Sequence, residues 1–186
     1  MTPQLISGYT ATTCLGHGLA ATLAALQVGR SGLKPCAFET VRLDTWIGEV
    51  AAVDDQKLPE MLAEYDCRNN RLAALALETD GFAERVRAAT ARYGKRRIGV
   101  FVGTSTAGIL QTELAYRRRD PVSGALPADF NYRTTHNAFS LAEFTRAYFA
   151  LEGPAFSVST ACSSSAKVFP AAARLPIHPA ARRIEI

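Results

Sequence analysis

Apolar residues recur along this chain in two rhythms, alternate positions and every third or fourth. The switches between them predict a run of strands and helices. Residues 5–9 read as a short strand, and Thr12, Thr13, Gly16 and Gly18 then supply a turn. Leu19, Leu23 and Leu26, with alanines between them, predict a compact helix over 19–28. Gly29-Arg30-Ser31-Gly32 ends it, with glycine where a C-terminal cap wants one. Residues 33–58 hold no clear period. The best extended piece there is 46–50, and Asp54-Asp55-Gln56-Lys57 is a polar loop. Residues 59–65 suit one or two helical turns. Residues 71–93 form the longest helical stretch, with Leu72, Leu75, Ala76, Leu77, Phe82 and Val86 on a broad apolar face. Gly81 weakens that stretch and allows two abutting helices.

Gly94 closes this region, and 98–102 is a nearly continuous apolar run, as in a strand covered on both faces. Gly103-Thr104-Ser105-Thr106-Ala107-Gly108 follows as a small-residue loop. It lacks the lysine and the glycine spacing of a phosphate-binding loop. Its default role is a structural turn whose glycines permit the backbone path. The functional alternative is that loops at the carboxyl ends of strands are where α/β sites form. Residues 109–119 look helical, Asp120-Pro121-Val122-Ser123-Gly124 breaks them, and 137–151 make a further helix with Phe139, Leu141, Phe144, Tyr148 and Phe149 as its apolar set. Strands and helices alternating in this way predict an α/β layered fold. No internal repeat is visible.

The most informative stretch comes next. Gly153-Pro154 suits a tight approach to an extended segment, in which Phe156 and Val158 share one face and Ser157 and Ser159 the other. A cluster of hydroxyls then leads into a helical run over 161–169, with Thr160 or Ser159 as its N-cap. That places Cys162 in the first turn, where backbone N–H groups lack intrahelical partners and the helix dipole is positive. A thiol there ionises more readily than a free cysteine. The backbone N–H of Cys162 is also placed to bond an oxygen that turns negative when the sulfur attacks a carbonyl. Against this stands the ordinary role of cysteine in an apolar chain, a small buried hydrophobe.

Phe156-Ser157-Val158-Ser159-Thr160-Ala161-Cys162-Ser163-Ser164-Ser165-Ala166 resembles the active-site signature of β-ketoacyl-acyl carrier protein synthases, condensing enzymes of the thiolase-like superfamily. Ile6-Ser7-Gly8-Tyr9, Leu15-Gly16 and Gly29-Arg30-Ser31-Gly32-Leu33 resemble that family's N-terminal stretch, and Arg97-Ile98-Gly99-Val100-Phe101-Val102-Gly103-Thr104-Ser105 its next core strand and turn. The resemblance implies the N-terminal half of a thiolase-like layered fold, a mixed five-stranded sheet with flanking helices. It implies that Cys162 accepts an acyl group from a carrier-protein thioester, and that a decarboxylated malonyl thioester then attacks the bound acyl group. No cofactor and no metal is implied, because the substrates ride on the phosphopantetheine arm of acyl carrier protein. The family assembles as homodimers or related heterodimers, through the strand before the cysteine, which brings Phe156 and Val158 near the interface.

The resemblance covers residues 1–175, an incomplete domain. Residues 176–186, with two further prolines, depart from it as an aberrant tail, and a shifted reading frame is one account of that departure. In the family a second half supplies two histidines or a His/Asn pair. His17, His136 and His178 match none of those positions, so each reads as a solvated or hydrogen-bonded histidine.

Composition narrows the picture further. The chain has 186 residues, 48% hydrophobic and 20% charged, as in a globular protein with a core of its own. No apolar run reaches membrane length, the first residues do not read as a signal peptide, and the four cysteines (14, 36, 67 and 162) lack metal-ligand spacing, so the expectation is a reduced, cytoplasmic protein. The net charge of +4 includes Lys95-Arg96-Arg97 and Arg117-Arg118-Arg119. Without interleaved aromatics these clusters read as solvated loop or helix ends, not as a nucleic-acid or membrane surface; steering an acidic carrier protein is the second explanation. Two other functions stay open beside the condensing enzyme. One is a non-catalytic or degraded partner fragment, and the other a cysteine hydrolase that pairs Cys162 with His136.

Overall fold

The computed structural model describes residues 5–38, 41–175 and 183–185. β1 (Leu5–Gly8) is followed by a minimal antiparallel hairpin, β2 (Thr12–Thr13) against β3 (Gly16–His17). α1 (Gly18–Gln27) comes next, and Gly29 ends it in the left-handed region at φ 62°. β4 (Leu33–Pro35) pairs antiparallel with β5 (Trp46–Gly48). A 3₁₀ turn (Glu60–Tyr65) leads to α2 (Arg68–Leu77) and α3 (Phe82–Tyr93). The long helical stretch is thus two helices, broken at Asp80 and Gly81, both at positive φ.

β6 (Val100–Gly103), α4 (Ile109–Arg117), a π-helical turn (Tyr132–His136) and α5 (Ser140–Tyr148) follow. β7 (Ala155–Val158), a 3₁₀ turn (Ala161–Ser163) and α6 (Ser164–Arg174) come after them. α5 is shorter than the pattern predicts. Asn137 draws the preceding residues into a separate turn, accepting from Phe139 N–H on its side chain and from Ser140 N–H on its carbonyl. Ala150 at φ 50° closes the other end. α6 runs through Pro170, so the proline costs one backbone bond without ending the helix.

The α/β class expected from the sequence is present. Among the described residues the strands pair two by two in place of one five-stranded sheet: β1 with β8 (Arg183–Glu185) and β6 with β7 are parallel, β2–β3 and β4–β5 antiparallel. Glycine and proline at 99, 103, 153 and 154 confine β6 and β7 to four residues each. Part of the stretch read as an aberrant tail is therefore strand, with Ile184 beside Ile6. Residues 176–182, His178 among them, lie outside the described residues.

Among the described residues two clusters form the core, and α5 serves both. Phe144 packs with Leu62, Tyr65 and Ala74, between the 3₁₀ turn and α2. Ala142, two residues earlier and so on the far side of the helix, packs with Val100, Leu151 and Ala155. The sheet is tied to α3 by the turn at residues 95–97. The Lys95 carbonyl accepts from the Glu152 and Gly153 amides, and the Glu152 carboxylate pairs with Lys95 and Arg96. Gly153 runs so close to the Ile98 carbonyl that no Cβ fits there. Arg118 is likewise paired with Asp129, so both basic clusters sit at helix ends as expected. Among the described residues no helix is long and apolar enough to cross a membrane.

Candidate functional site

β6 and β7 lie in register, Val100 beside Ala155 through Gly103 beside Val158, so their carboxyl ends finish side by side. The Thr104 amide extends the pairing by bonding the Val158 carbonyl at 3.1 Å. From this shared edge the chain leaves β7 and reverses sharply at Ala161, which has φ 51°. A side chain in that left-handed region carries strain of about 1–3 kcal/mol. The turn lifts Cys162 out, exposed, on the 3₁₀ turn that runs straight into α6. The expected sequence of strand, cysteine and helix is therefore present, with Cys162 two residues ahead of the first residue of α6.

Hydroxyls surround this turn, but they do not act as the simple N-cap the sequence suggested. Thr160 stands at the turn's boundary and its Oγ1 meets Ser163 Oγ at 3.0 Å, with no bond to a helix amide. Ser163 Oγ donates to the Thr160 carbonyl at 3.0 Å. Ser164, buried, accepts from the Thr160 N–H at 2.9 Å and donates to the Ala161 carbonyl at 2.7 Å. The loop at 103–108 supports the turn from below. A Cβ on Gly103 would fall 2.7 Å from the Ser164 carbonyl carbon, and one on Gly108 would overlap the Thr135 carbonyl. Close packing thus accounts for the glycines of that loop.

On β7 the buried position is Ala155, while Phe156 is 44% exposed and stacks on Phe101 with centroids 5.8 Å apart. The apolar face expected from Phe156 and Val158 is thus turned away from the core. Among the described residues β7 pairs only with β6, and the Ser157 Oγ is buried without a partner.

The remaining candidate groups are not gathered around Cys162. His17 Nε2 bonds the Ala51 carbonyl at 3.0 Å. His136 Nδ1 meets Thr112 Oγ1 at 2.5 Å and its ring packs against Tyr132. No hydrogen bond among the described residues joins His136 to Cys162, which leaves the hydrolase pairing without support. Cys67 is buried beneath the π-helical turn, and burial pushes its thiol up. Among the described residues no group of three His, Cys, Asp or Glu side chains could hold a metal. A mainly apolar cavity of about 530 Å³ lies between the 36–53 segment, α2 and the loop after β6, walled by Phe38, Ile47, Val53, Arg68, Leu72 and Ala107. Cys162 does not line it.

Sequence reasoning named Cys162, which the structure places exposed on this turn; it gave no sign of the left-handed backbone at Ala161, the burial of Ser164 or the cavity. The run of three serines after the cysteine was the one signal available for Ser164.

The model of the β-ketoacyl synthase N-terminal domain matches residues 5–176. Among solved structures the chain is similar to a ketosynthase (ApeO) in complex with its chain length factor (ApeC) from Xenorhabdus doucetiae, with 27% identity and a TM-score of 0.69. The alignment covers 90% of this chain and 42% of that one, so the chain spans less than half the length of that ketosynthase. No curated protein matches it.

Proposed function

The chain belongs to the β-ketoacyl synthase family by its N-terminal domain, and from that premise we propose that it carries the acyl-accepting half of a decarboxylative condensing site. One observation carries this reading: Cys162 is exposed on a strained turn between the carboxyl end of β7 and the start of α6. In the proposed reaction the Cys162 thiolate attacks the carbonyl carbon of an acyl thioester. The carbonyl oxygen becomes an oxyanion bonded by the Cys162 N–H, the carrier thiolate leaves, and the acyl group stays on sulfur. The donor is an acyl group on the phosphopantetheine arm of acyl carrier protein, and no cofactor of the protein's own takes part.

Condensation itself requires a malonyl thioester to lose carbon dioxide and its carbanion to attack the acyl-cysteine. In the family that step uses histidines that have no counterpart among His17, His136 and His178, so the 186 residues taken by themselves accept an acyl group without extending it. Among the described residues the strand before the cysteine has one unpaired edge, which would face a second subunit, a copy of this chain or a related one. The similar ketosynthase solved with its chain length factor supports a heteromeric arrangement of that kind. Incubation with an acyl thioester, followed by intact mass spectrometry, tests the proposal. The expected result is one acyl adduct that Cys162→Ala abolishes, and no ketoacyl product when malonyl thioester is added. An unmodified chain would overturn the acyl-accepting reading and favour a non-catalytic partner; a ketoacyl product would overturn the claim that the chain alone cannot condense.

A further inference from the structure

We infer that Ser164 is the positioning residue of this site, its buried hydroxyl holding in place the strained turn on which Cys162 stands; the inference rests on the acyl-Cys162 reading above. Ser164 is 3% exposed, the most buried of the residues in the turn. Its Oγ spans the bend, accepting the Thr160 N–H at 2.9 Å and donating its own proton to the Ala161 carbonyl at 2.7 Å. These two partners are the residues immediately before Cys162, so one hydroxyl closes a small ring around the left-handed residue that aims the sulfur. Neither bond belongs to the regular ladder of α6. An alanine at 164 would make neither bond.

The other half of the clamp is mechanical. The backbone of Ser164 and Ser165 rests on Gly103, where an added Cβ would fall 2.7 and 2.6 Å from their carbonyl carbon and Cα respectively. Ser164 is therefore fixed to the end of β6, and through its hydroxyl it passes that fixed position to Ala161 and Cys162. Without the hydroxyl, Ala161 has less to hold it at φ 51°, a conformation unfavourable for any residue with a Cβ. The turn then relaxes, and the Cys162 sulfur and N–H lose the geometry that lets both act on one carbonyl.

The rate of Cys162 alkylation by iodoacetamide, measured on the full chain, reads this directly. Circular dichroism beside it reports whether α6 persists. Ser164→Ala should slow Cys162 labelling by about tenfold, because the cost of one left-handed non-glycine residue then favours the relaxed turn. Ser164→Thr keeps the hydroxyl and should keep the rate. Ala161→Gly removes the strain that the hydroxyl opposes, so adding it to Ser164→Ala should restore the rate. Unchanged labelling of Ser164→Ala would overturn the inference. So would a slow Ser164→Ala variant that Ala161→Gly does not rescue, including one slowed only because helicity is lost. An intact acyl adduct with serine-independent labelling would reject the role of Ser164 alone. Serine-dependent labelling with no acyl adduct would reject the acyl-accepting reading instead.

Discussion

Gly103 and Ser165 are packed backbone to backbone: a Cβ on Gly103 would lie 2.6 Å from the Ser165 Cα. The end of β6 thereby becomes the floor on which α6 starts. Gly103→Ala has no flexible side chain to push aside, so either the strand end or the helix start must shift. Overpacking of this kind costs about 1–3 kcal/mol. Urea denaturation should show that loss as a lower midpoint at unchanged slope. A variant as stable as the parent would mean that α6 is not pressed onto β6.

That contact also marks how far the sequence could be read. The strand at 98–102, the segment before the cysteine and the helix after it follow from periodicity and from the hydroxyl cluster. Gly103 could be recognised as a residue that permits a close approach, but not as the neighbour of Ser165, which lies 62 positions on in the chain. Ala161 gives no local sign of its left-handed backbone, since alanine prefers the helical region. One wall of the apolar cavity comes from Phe38, Val41, Leu43, Ile47 and Val53, in a stretch where no period exists to reveal which side chains turn inward. The shortened α5 depends on Asn137, whose side chain competes with the helix for the Phe139 amide.

A second long-range contact gives the next test. α1 has no capping side chain of its own, and the Asp80 carboxylate, from the turn between α2 and α3, accepts the Leu19 N–H at 3.0 and 3.2 Å. It also accepts from the Thr10 hydroxyl at 2.8 Å. Asp80→Ala should destabilise the chain by about 1 kcal/mol, as for the loss of any N-cap. Asp80→Asn, which keeps an acceptor and tolerates the positive φ of 58°, should lose less. If thermal unfolding gives both variants equal losses, the cap is not the source of the effect.

Tyr148 sets an alkaline limit. Its hydroxyl donates to Glu78 Oε1 at 2.8 Å, in a half-buried position between Phe144 and Phe149. Burial first, and then the bond to the Glu78 carboxylate and its charge, raise the phenol from 10.0 to about 12. A folded value above the unfolded one means that the stabilisation is complete below pH 10.0 and is lost as pH rises through about 12. Absorbance titration of the folded chain should therefore show a late phenolate component that Tyr148→Phe removes, along with part of the alkaline loss of stability. A titration that Tyr148→Phe leaves unchanged would contradict the buried contact.

The four cysteines should separate by reactivity, and the order follows from where the fold leaves each sulfur. Cys162 is exposed on the turn before α6, Cys14 and Cys36 are partly buried, and Cys67 is fully buried. Burial also raises the Cys67 thiol, which reduces its share of the reactive thiolate at neutral pH. Brief alkylation with limiting reagent should thus modify Cys162 first, Cys14 and Cys36 later, and Cys67 only when the chain is unfolded. Peptide mass spectrometry gives the four extents in one measurement. Adding denaturant supplies the internal control, because it removes the differences that folding creates and should bring the four rates together. If Cys14 or Cys36 is modified as fast as Cys162 in the folded chain, exposure on the turn gives no advantage and the sulfur has no claim to be a nucleophile. If Cys67 is modified as readily as the rest, the core beneath the π-helical turn does not close.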